Sequence, residues 1–399
     1  MSGIRIAEIL AVGAERYLES HRAPHVVVKA CSAIRNCRTN WLGTHARYCT
    51  QGHVLGVWYN SCRNRSCPSC AFYRVRRWLE GQVGRLLGCA HHHIIFTIPH
   101  ELNRLWSLNY VVMAELLFHS ARAALFELAG DPEYLGATPG AVMGLHTWGQ
   151  QLPMHPHLHC LATAGGADRE GNWVPARRQS FLPAEPLKRL FRGKFIYDLR
   201  GLVRRGKLRL PDGWDRAAVE RLCGELHHKR WNVRVCERYE DPTRVLNYLG
   251  RYLHGGPIGQ SRLLAFDGRT VSFRYKDYRD MGPEGPREKP ANLPTDEFIR
   301  RLLQHVPPKG FHMVRGFGLY RRGGCSRNLH ERVREAMPIQ PEVHAALVSP
   351  FAPTPGVHDV PGNCPDCGSP TYLVVYARRG NGFQRVTYPP RGSPMVVAA

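Results

Sequence analysis

Met154-His-Pro-His-Leu-His-Cys-Leu-Ala162 is an apolar run with histidines at alternate positions, a pattern that predicts a short buried β-strand. Side chains alternate in direction along a strand, so His157 and His159 project from one face while Leu158 packs behind them. Two imidazoles side by side on a rigid element suit a divalent metal that keeps several coordination positions open. Histidines at strand spacing are also common as ordinary polar residues, so the pair alone leaves both interpretations open.

A second motif, Tyr248-Leu-Gly-Arg-Tyr252, places two tyrosines at positions i and i+4. On a helix both phenols share one face, although aromatic residues at this spacing also line helix–core boundaries for packing reasons alone. The combination of the two motifs is much rarer than either part. A metal held by His157 and His159 beside the two phenols suggests a nuclease that attaches itself to DNA through tyrosine. Arg251 contacts phosphate in this interpretation, and its alternative role is a solvated surface residue.

Two histidines leave the shell of a divalent metal incomplete, so we expect a third protein ligand. His146 and Gln150 lie on the preceding predicted strand with even spacing, which gives them one face. We choose Gln150, because an amide oxygen suits a hard cation such as Mg²⁺ or Mn²⁺, and we interpret His146 as a core histidine. The run His91-His-His93 resembles a ligand cluster, but its place at the start of a strand favours solvated side chains.

The chain is strongly basic. Its 399 residues include 55 Lys and Arg against 32 Asp and Glu, which gives a net charge of +23. Phosphate contacts by Lys and Arg supply most non-specific affinity for nucleic acid, so this excess points to a polyanionic partner. A generally Arg-rich proteome is the alternative explanation. An RNA-binding zinc protein also accounts for the charge and the cysteines, but it gives no reason for paired tyrosines.

The sequence contains no stretch near the roughly 18 apolar residues that span a bilayer, so we expect no membrane partner. The N-terminus lacks the apolar core of a signal peptide. We therefore expect a cytoplasmic protein of a bacterial host, associated with the nucleoid. In that compartment the 13 cysteines are better explained as metal ligands and buried thiols than as disulfides.

The cysteines concentrate in residues 31–77. Cys67-Pro-Ser-Cys70 is a zinc-knuckle pair, because its two-residue gap lets both sulfurs reach one tetrahedral Zn²⁺ ion. The best partner pair is Cys49-Thr-Gln-Gly-His53, with Cys62 as a further donor; Cys37 and His45 are close enough in sequence to substitute or to support the ligands. A segment this short and rich in turns has little core without metal, so we predict a structural zinc site.

Two further features accompany this module. Arg63 and Arg65 lie between candidate ligands, where they place cations that suit DNA phosphates. A second pair, Cys364-Pro-Asp-Cys367, has no partner pair nearby in sequence. It either completes a site with a distant ligand or has no role in a loose tail, and the sequence leaves these two alternatives open.

Patterns of hydrophobicity predict an α+β fold. Strands are expected near 93–99, 141–151, 156–164 and 231–236, with helices over about 104–129, 184–205, 214–228 and 295–305 and a hairpin at 263–275. This order favours a mostly antiparallel sheet over a doubly wound parallel one. No phosphate-cradling Gly-rich loop occurs in the sequence, so we expect no nucleotide cofactor.

Composition divides the chain into five segments. They are an N-terminal helical segment (1–30), a zinc-binding DNA module (31–82), a nuclease domain (86–280) with a helical insertion at about 166–230, a basic C-terminal extension (281–345) that begins with a Pro/Gly-rich linker at 281–295, and a Pro/Gly-rich, partly disordered tail (346–399).

Several ordered motifs of this chain resemble the two-tyrosine HUH transposases of rolling-circle insertion sequences, the insertion-sequence-ninety-one group. The resemblance runs from about Cys37 to Leu319. The motifs that carry it are Cys37-Arg-Thr, Asn60-Ser-Cys-Arg-Asn-Arg-Ser-Cys-Pro-Ser-Cys70, Phe96-Thr-Ile-Pro-His-Glu-Leu102, Leu145-His-Thr-Trp-Gly-Gln150, His155-Pro-His-Leu-His159, Tyr248-Leu-Gly-Arg-Tyr252 and Tyr275-Lys-Asp-Tyr278.

The resemblance implies a zinc-binding DNA module before an HUH nuclease with a ferredoxin-like, five-stranded core. It implies His157 and His159 as metal ligands and Tyr248 and Tyr252 as nucleophiles. Family members usually carry a second cysteine two residues beyond the position of Cys49, where this chain departs from the pattern.

The implied reaction is metal-dependent cleavage of single-stranded DNA at element ends by tyrosine attack, which gives a 5′-phosphotyrosine and a free 3′-OH, followed by transfer of the strand to target DNA. Two rival functions remain at this stage. One is a plasmid-type replication initiator or relaxase, which uses the same motifs. The other is a non-catalytic DNA-binding regulator derived from a transposase. The oligomeric state is left open.

Overall fold

The computed structural model describes residues 3–70, 78, 81–82, 85–176, 182–240, 256–323, 325–337, 362–379 and 382–388. The helices of these residues are α1 (Ile6–Ser20), α2 (His25–Arg35), α3 (Asn103–Leu108), α4 (Tyr110–Gly130), α5 (Ala184–Arg204), α6 (Arg216–His228), α7 (Thr295–Leu303) and α8 (Cys325–Ala336). The strands are β1 (Gly43–Cys49), β2 (Val54–Tyr59), β3 (His91–Thr97), β4 (Gly140–Trp148), β5 (Met154–Thr163), β6 (Gly165–Ala167), β7 (Trp173–Pro175), β8 (Asn232–Tyr239), β9 (Leu263–Phe266), β10 (Thr270–Gly282), β11 (Gly285–Pro294), β12 (Val314–Gly318), β13 (Thr371–Arg379) and β14 (Gly382–Tyr388). None of the helices in these ranges is long and apolar enough to cross a bilayer.

A five-stranded antiparallel sheet with the order β12-β4-β5-β3-β8 forms the centre of the protein. Its middle strand, β5, has the predicted alternation. Leu158 and Cys160 are fully buried in one hydrophobic cluster with residues of α4, α5 and α6. Burial of a leucine side chain stabilises the fold by about 1.5–3 kcal/mol, so this face of β5 is strongly specified. The histidines consequently lie on the opposite face.

The helix predicted over 104–129 is interrupted at Asn109, which separates α3 from α4. The Asn109 side chain donates hydrogen bonds to the carbonyl oxygens of Leu105 (2.9 Å) and Arg209 (2.8 Å), and it accepts one from the Arg209 amide (2.7 Å). Asparagine competes for backbone groups in this way, which explains a break that hydrophobic periodicity does not reveal.

Residues 263–294 form a three-stranded sheet with the order β11-β10-β9. The predicted hairpin of β9 and β10 is present, but the predicted linker at 281–295 is instead the strand β11, which pairs along β10. β11 satisfies the backbone groups on the edge of β10 that faces away from β9, from Thr270 to Gly282. This sheet shares a buried cluster with α1, α2 and α7, so the N-terminal helices pack on it.

Two further predictions about the C-terminal part are corrected. Residues 314–318, assigned to a basic extension, form the edge strand β12 of the central sheet beside β4. Residues 371–379 and 382–388, assigned to a loose tail, form β13 and β14 of a four-stranded sheet with the order β14-β13-β1-β2. β12 pairs with β4, and β13 pairs with β1, so each of these strands has a partner far away in sequence that local composition does not show. The α+β class with antiparallel sheets and a preceding cysteine-rich module is confirmed.

Candidate metal centre and nucleic-acid interface

Three histidines meet on the face of the central sheet that points away from α4, α5 and α6. His157 and His159 extend from β5, and His146 extends from β4 as the cross-strand neighbour of His157. One ring nitrogen of each lies within 4.8 Å of the others. The Nε2 atoms of His157 and His159 are 3.2 Å apart. Two neighbouring ligands at about 2.1 Å from an octahedral cation are about 3.0 Å apart, so the pair has a suitable spacing for one metal.

Neighbouring groups orient the two imidazoles of β5. The Nδ1–H of His157 donates to the carbonyl oxygen of His155 at 2.6 Å, which leaves the Nε2 lone pair directed into the cluster. Nδ1 of His159 is hydrogen-bonded to Nε2 of His93 on β3 at 3.1 Å. A histidine that binds a metal through one nitrogen commonly has its other N–H fixed by such a partner.

Burial keeps these side chains neutral. His157 and His159 are 9% and 6% exposed. Desolvation, together with the nearby His93, lowers the pKa of His159 to about 3, and desolvation followed by repulsion from His159 lowers the pKa of His157 well below its usual value. At neutral pH both rings therefore hold the lone pairs that metal ligation requires, without competition from protons.

Gln150, the predicted third ligand, is hydrogen-bonded to a strand outside the central sheet. Strand β4 ends at Trp148, and the chain turns before Leu152, which adopts a positive φ of 63°. The Gln150 Oε1 accepts a hydrogen bond from the backbone amide of Lys276 at 3.3 Å. The even spacing therefore does not carry Gln150 onto the face of His146. The structure instead brings His146, which we interpreted as a core residue, into the cluster.

The interpretation of His91-His-His93 as solvated is corrected, because all three side chains are buried. His91 donates through Nδ1 to the carbonyl oxygen of Cys89 (2.9 Å), so its Nε2 accepts from the Tyr320 hydroxyl (2.6 Å). His93 lies beside His159 as described above. The signal that sequence offered for His93 was its alternation with the buried Ile94 and Phe96, since that alternation places it on the histidine face of the sheet.

A cleft of about 670 Å³ adjoins the histidine cluster. Trp148 lines the cleft, and its indole stacks on His146 with ring centroids 4.4 Å apart. The described residues that line the cleft include no Asp or Glu, whereas four arginines contribute: Arg65, Arg85, Arg321 and Arg322. Such a cleft attracts polyanions and offers aromatic surface against which bases can stack.

The predicted nucleophiles Tyr248 and Tyr252, and Arg251 between them, lie outside the described residues. The chain enters that span after β8, the edge strand beside β3, and returns at Gly256, which lines the cleft. Of the other predicted DNA contacts, Arg63 is exposed. The guanidinium of Arg65 donates to the carbonyl oxygens of Phe311 (2.7 Å) and Pro308 (3.1 Å), so it also fastens the cysteine-rich module to the main domain.

The cysteine-rich module contains a four-sulfur cluster of Cys37, Cys62, Cys67 and Cys70. The Sγ of Cys70 lies 3.5 Å from that of Cys37 and 3.6 Å from that of Cys62. Hydrogen bonds with neighbouring thiols, first of all Cys62, lower the pKa of Cys37 to about 7, which favours a thiolate ligand. Four sulfurs at this spacing match a tetrahedral zinc site.

The prediction that Cys49 and His53 complete this site is corrected. They lie with Cys364 and Cys367 in a separate cluster. Cys37, which we named only as a possible substitute, belongs to the four-sulfur cluster instead. Helix α2 ends at Arg35, and the residues that follow it bring Cys37 next to the knuckle of Cys67 and Cys70. Of the two alternatives for the C-terminal cysteine pair, the structure supports the one with distant partners.

In comparisons with known proteins, the segments that contain the histidine cluster and the four-sulfur cluster both match transposase sequences. A family model described as "Putative transposase" matches residues 140–328, which include the histidine cluster, and one described as "Transposase zinc-binding domain" matches residues 9–98, which include the four-sulfur cluster. "Putative transposase y4qJ" of Sinorhizobium fredii is 37% identical over 327 residues, which cover 79% of this chain and 80% of that protein. "Transposase for insertion sequence element IS801" of Pseudomonas savastanoi pv. phaseolicola is 29% identical over 360 residues, which cover 86% of this chain and 80% of that protein. No solved structure matches the chain significantly.

Proposed function

The chain belongs to the IS91 family of insertion-sequence transposases, and from this premise we propose that it cuts and transfers single-stranded DNA through tyrosine chemistry at a metal held by His146, His157 and His159. DNA is the partner that the family implies. The finer proposal rests on one observation, the meeting of three buried imidazoles beside a cationic cleft. The same observation argues against a non-catalytic regulator, because a protein that only binds DNA has no use for such a cluster.

The proposed cleavage is an in-line displacement at phosphorus. The phenolic oxygen of Tyr248 or Tyr252 forms a bond to phosphorus and loses its proton, while the bond from phosphorus to the 3′ oxygen breaks and that oxygen leaves as a hydroxyl. The products are a 5′-phosphotyrosine and a free 3′-OH. A 3′-OH of a second strand reverses the step, so the phosphoester is conserved and no nucleotide cofactor is consumed.

A bound Mg²⁺ or Mn²⁺ supplies charge neutralisation at the non-bridging oxygens and aids departure of the 3′ oxygen. The protein's own groups do the remaining work. His157 and His159 hold their lone pairs towards a common point, and His93 fixes the ring of His159. Arg85 and Arg321 line the cleft in which a strand of DNA lies against Trp148. Holding the reacting groups in this way converts the attack into an effectively unimolecular step.

The span that carries the tyrosines begins and ends near this site. It follows β8, whose last residue, Tyr239, packs against the buried cluster that contains Tyr320 of the cleft wall. It ends at Gly256 on the cleft wall. These two anchoring points support the proposal that Tyr248 and Tyr252 act on DNA bound in the cleft.

The test is cleavage of labelled single-stranded DNA that carries the element ends, in Mg²⁺ or Mn²⁺. We expect a protein–DNA adduct that survives denaturation. It should be lost in the Tyr248→Phe/Tyr252→Phe double variant and in His157→Ala, and differences between the single tyrosine variants should assign the first nucleophile.

Tyr197→Phe is the matched control, because Tyr197 is an exposed tyrosine of α5, on the opposite side of the sheet from the histidines. Its adduct yield should equal that of the unmodified protein. DNA binding without an adduct across a broad set of end sequences would refute the nuclease proposal in favour of a DNA-binding regulator. An adduct that persists in the double tyrosine variant would refute the assignment of the nucleophiles.

A further inference from the structure

Cys49, His53, Cys364 and Cys367 form a second cluster of four possible ligands, which joins the N-terminal module to the C-terminal part of the described chain. Cys49 is the last residue of β1, and His53 stands one residue before β2. The C-terminal pair precedes β13, which pairs with β1 in a register that places Cys49 opposite Thr371. The family model for a zinc-binding domain ends at residue 98 and therefore does not account for the C-terminal pair.

The distances within this cluster match a tetrahedral zinc ion. The Sγ atoms of Cys49 and Cys367 are 3.8 Å apart, and the Sγ of Cys364 is 3.6 Å from Nδ1 of His53. Bonds of about 2.3 Å to sulfur and about 2.0–2.1 Å to nitrogen at tetrahedral angles give separations of about 3.8 Å between two sulfurs and about 3.6 Å between sulfur and nitrogen. A disulfide requires about 2.0 Å between the sulfurs, so the spacing is that of ligands around an ion.

Each half of the cluster also has the backbone of a zinc knuckle. The amide of His53 donates to the Sγ of Cys49 at 3.2 Å, and the turn between them passes through Gly52 at a φ of 88°. In the other half Gly368, at a φ of 69°, donates its amide to the carbonyl oxygen of Cys364 at 2.8 Å. A positive φ carries no steric penalty for glycine, so both glycines allow tight turns that direct the neighbouring donor atoms towards one point.

We propose that these four residues bind a second structural Zn²⁺ through three sulfurs and one nitrogen, and that this ion fastens the C-terminal hairpin of β13 and β14 to the N-terminal module. The first cluster has four sulfurs of its own and does not need these donors. The site also explains the departure from the family pattern after Cys49, because Cys364 and Cys367 supply the sulfurs that the local sequence lacks. The proposal does not depend on the nuclease chemistry.

Zinc content of the full-length chain tests the site. The measurement uses a His157→Ala/His159→Ala background, so that the histidine cluster contributes no zinc. We expect two zinc ions per chain by elemental analysis, and one in the Cys364→Ser/Cys367→Ser variant. Cys236→Ser, which removes a cysteine outside both clusters, should keep two. Two zinc ions in the folded Cys364→Ser/Cys367→Ser variant would overturn the proposal.

His53→Cys provides a readout that does not require a site to be lost. It preserves four donors and should keep two metal ions per chain. With Co²⁺ in place of zinc, the exchange of nitrogen for sulfur weakens the ligand field, so the d–d bands should move to longer wavelength. Identical Co²⁺ spectra of the two proteins would exclude His53 as a ligand and overturn the site.

Hydrogen exchange tests the fastening role. Loss of the second ion should speed exchange of the β13 amides that pair with β1 by about tenfold or more, because metal binding free energy is folding free energy for the elements that it joins. The amides of β4 and β5 in the central sheet should be unaffected. Unchanged protection of β13 in a chain that has lost the ion would overturn the fastening role.

Discussion

His93 should control metal affinity without touching the metal. If His159 binds a cation through Nε2, its proton must reside on Nδ1, and the acceptor for that N–H is Nε2 of His93 at 3.1 Å. In the metal-free protein His159 is free to adopt the other tautomer, in which Nδ1 carries no proton. Replacement of His93 by Leu therefore penalises the metal-bound state, where a buried N–H is left without its acceptor.

The magnitude follows from the cost of an unsatisfied buried donor, about 1–3 kcal/mol. His93 and His159 are 7% and 6% exposed, so solvent does not replace the lost acceptor. At 1.36 kcal/mol per factor of ten, His93→Leu should weaken Mn²⁺ binding by a factor of about 5 to about 150. His93→Gln offers an amide oxygen in the same region and should recover most of the loss.

Mn²⁺ binding can be followed by electron paramagnetic resonance, in which the signal of the free ion disappears as it binds. His91→Leu is the matched control, since His91 is buried on the same strand but is hydrogen-bonded to Tyr320 and not to the cluster. It should lose fold stability while retaining Mn²⁺ affinity. The reasoning is refuted if His93→Leu binds Mn²⁺ as tightly as the unmodified protein, or if His93→Gln is no better than His93→Leu.

Two further predictions concern the third metal ligand and the acid stability of the fold. His146→Ala should weaken Mn²⁺ binding by roughly tenfold or more, whereas Gln150→Ala should change it by less than about twofold; the reverse order in the same titration would reinstate Gln150 as the third ligand. Burial lowers the pKa values of His91 and His305 to about 4, below their usual 6.5, so the unfolded chain takes up protons that the folded chain excludes. Stability is then fully present above about pH 6.5 and decreases as the pH falls towards 4, by about 1–2 kcal/mol for each histidine between pH 7.5 and pH 5. Urea unfolding at the two pH values measures this loss, and a His91→Leu variant whose loss equals that of the unmodified protein would contradict it.

The central strand was predictable because its signal is local. Alternation between Leu158, Cys160 and the two histidines specifies one buried face and one site face, and burial of the apolar face enforces that register. The cross-strand neighbour of His157 was harder to predict from the sequence. His146 is its cross-strand neighbour only because β4 pairs with β5 in one particular register, and Gln150 lies outside the strand because β4 ends at Trp148. Neither the register nor the end of a strand can be obtained from spacing alone.

The predicted zinc ligands were grouped into one site, whereas the structure places them in two clusters, for a related reason. Nearness in sequence suggested that Cys49 and His53 share an ion with Cys67 and Cys70, because a short loop can join any two knuckles. The structure separates them through the pairing of β1 with β13, a contact between residues near position 45 and residues near position 375. Sequence patterns report on residues that are close together along the chain. The pairing of β1 with β13 joins residues more than 300 positions apart, so no local pattern indicates it.

The long-range pairing of β1 with β13 also affects the order in which parts of the protein fold. The N-terminal module and the C-terminal hairpin contribute to one sheet, and β12, from the C-terminal part, forms the edge of the central sheet beside β4. Contacts at such sequence separations form late, since the loop between them must be closed first. An incomplete chain that ends before Cys364 leaves β1 with an unpaired edge and Cys49 and His53 without partner ligands. Arg65 of the same module donates to the carbonyl oxygens of Phe311 and Pro308, so this module directly contacts the wall of the cleft in which we propose that DNA binds.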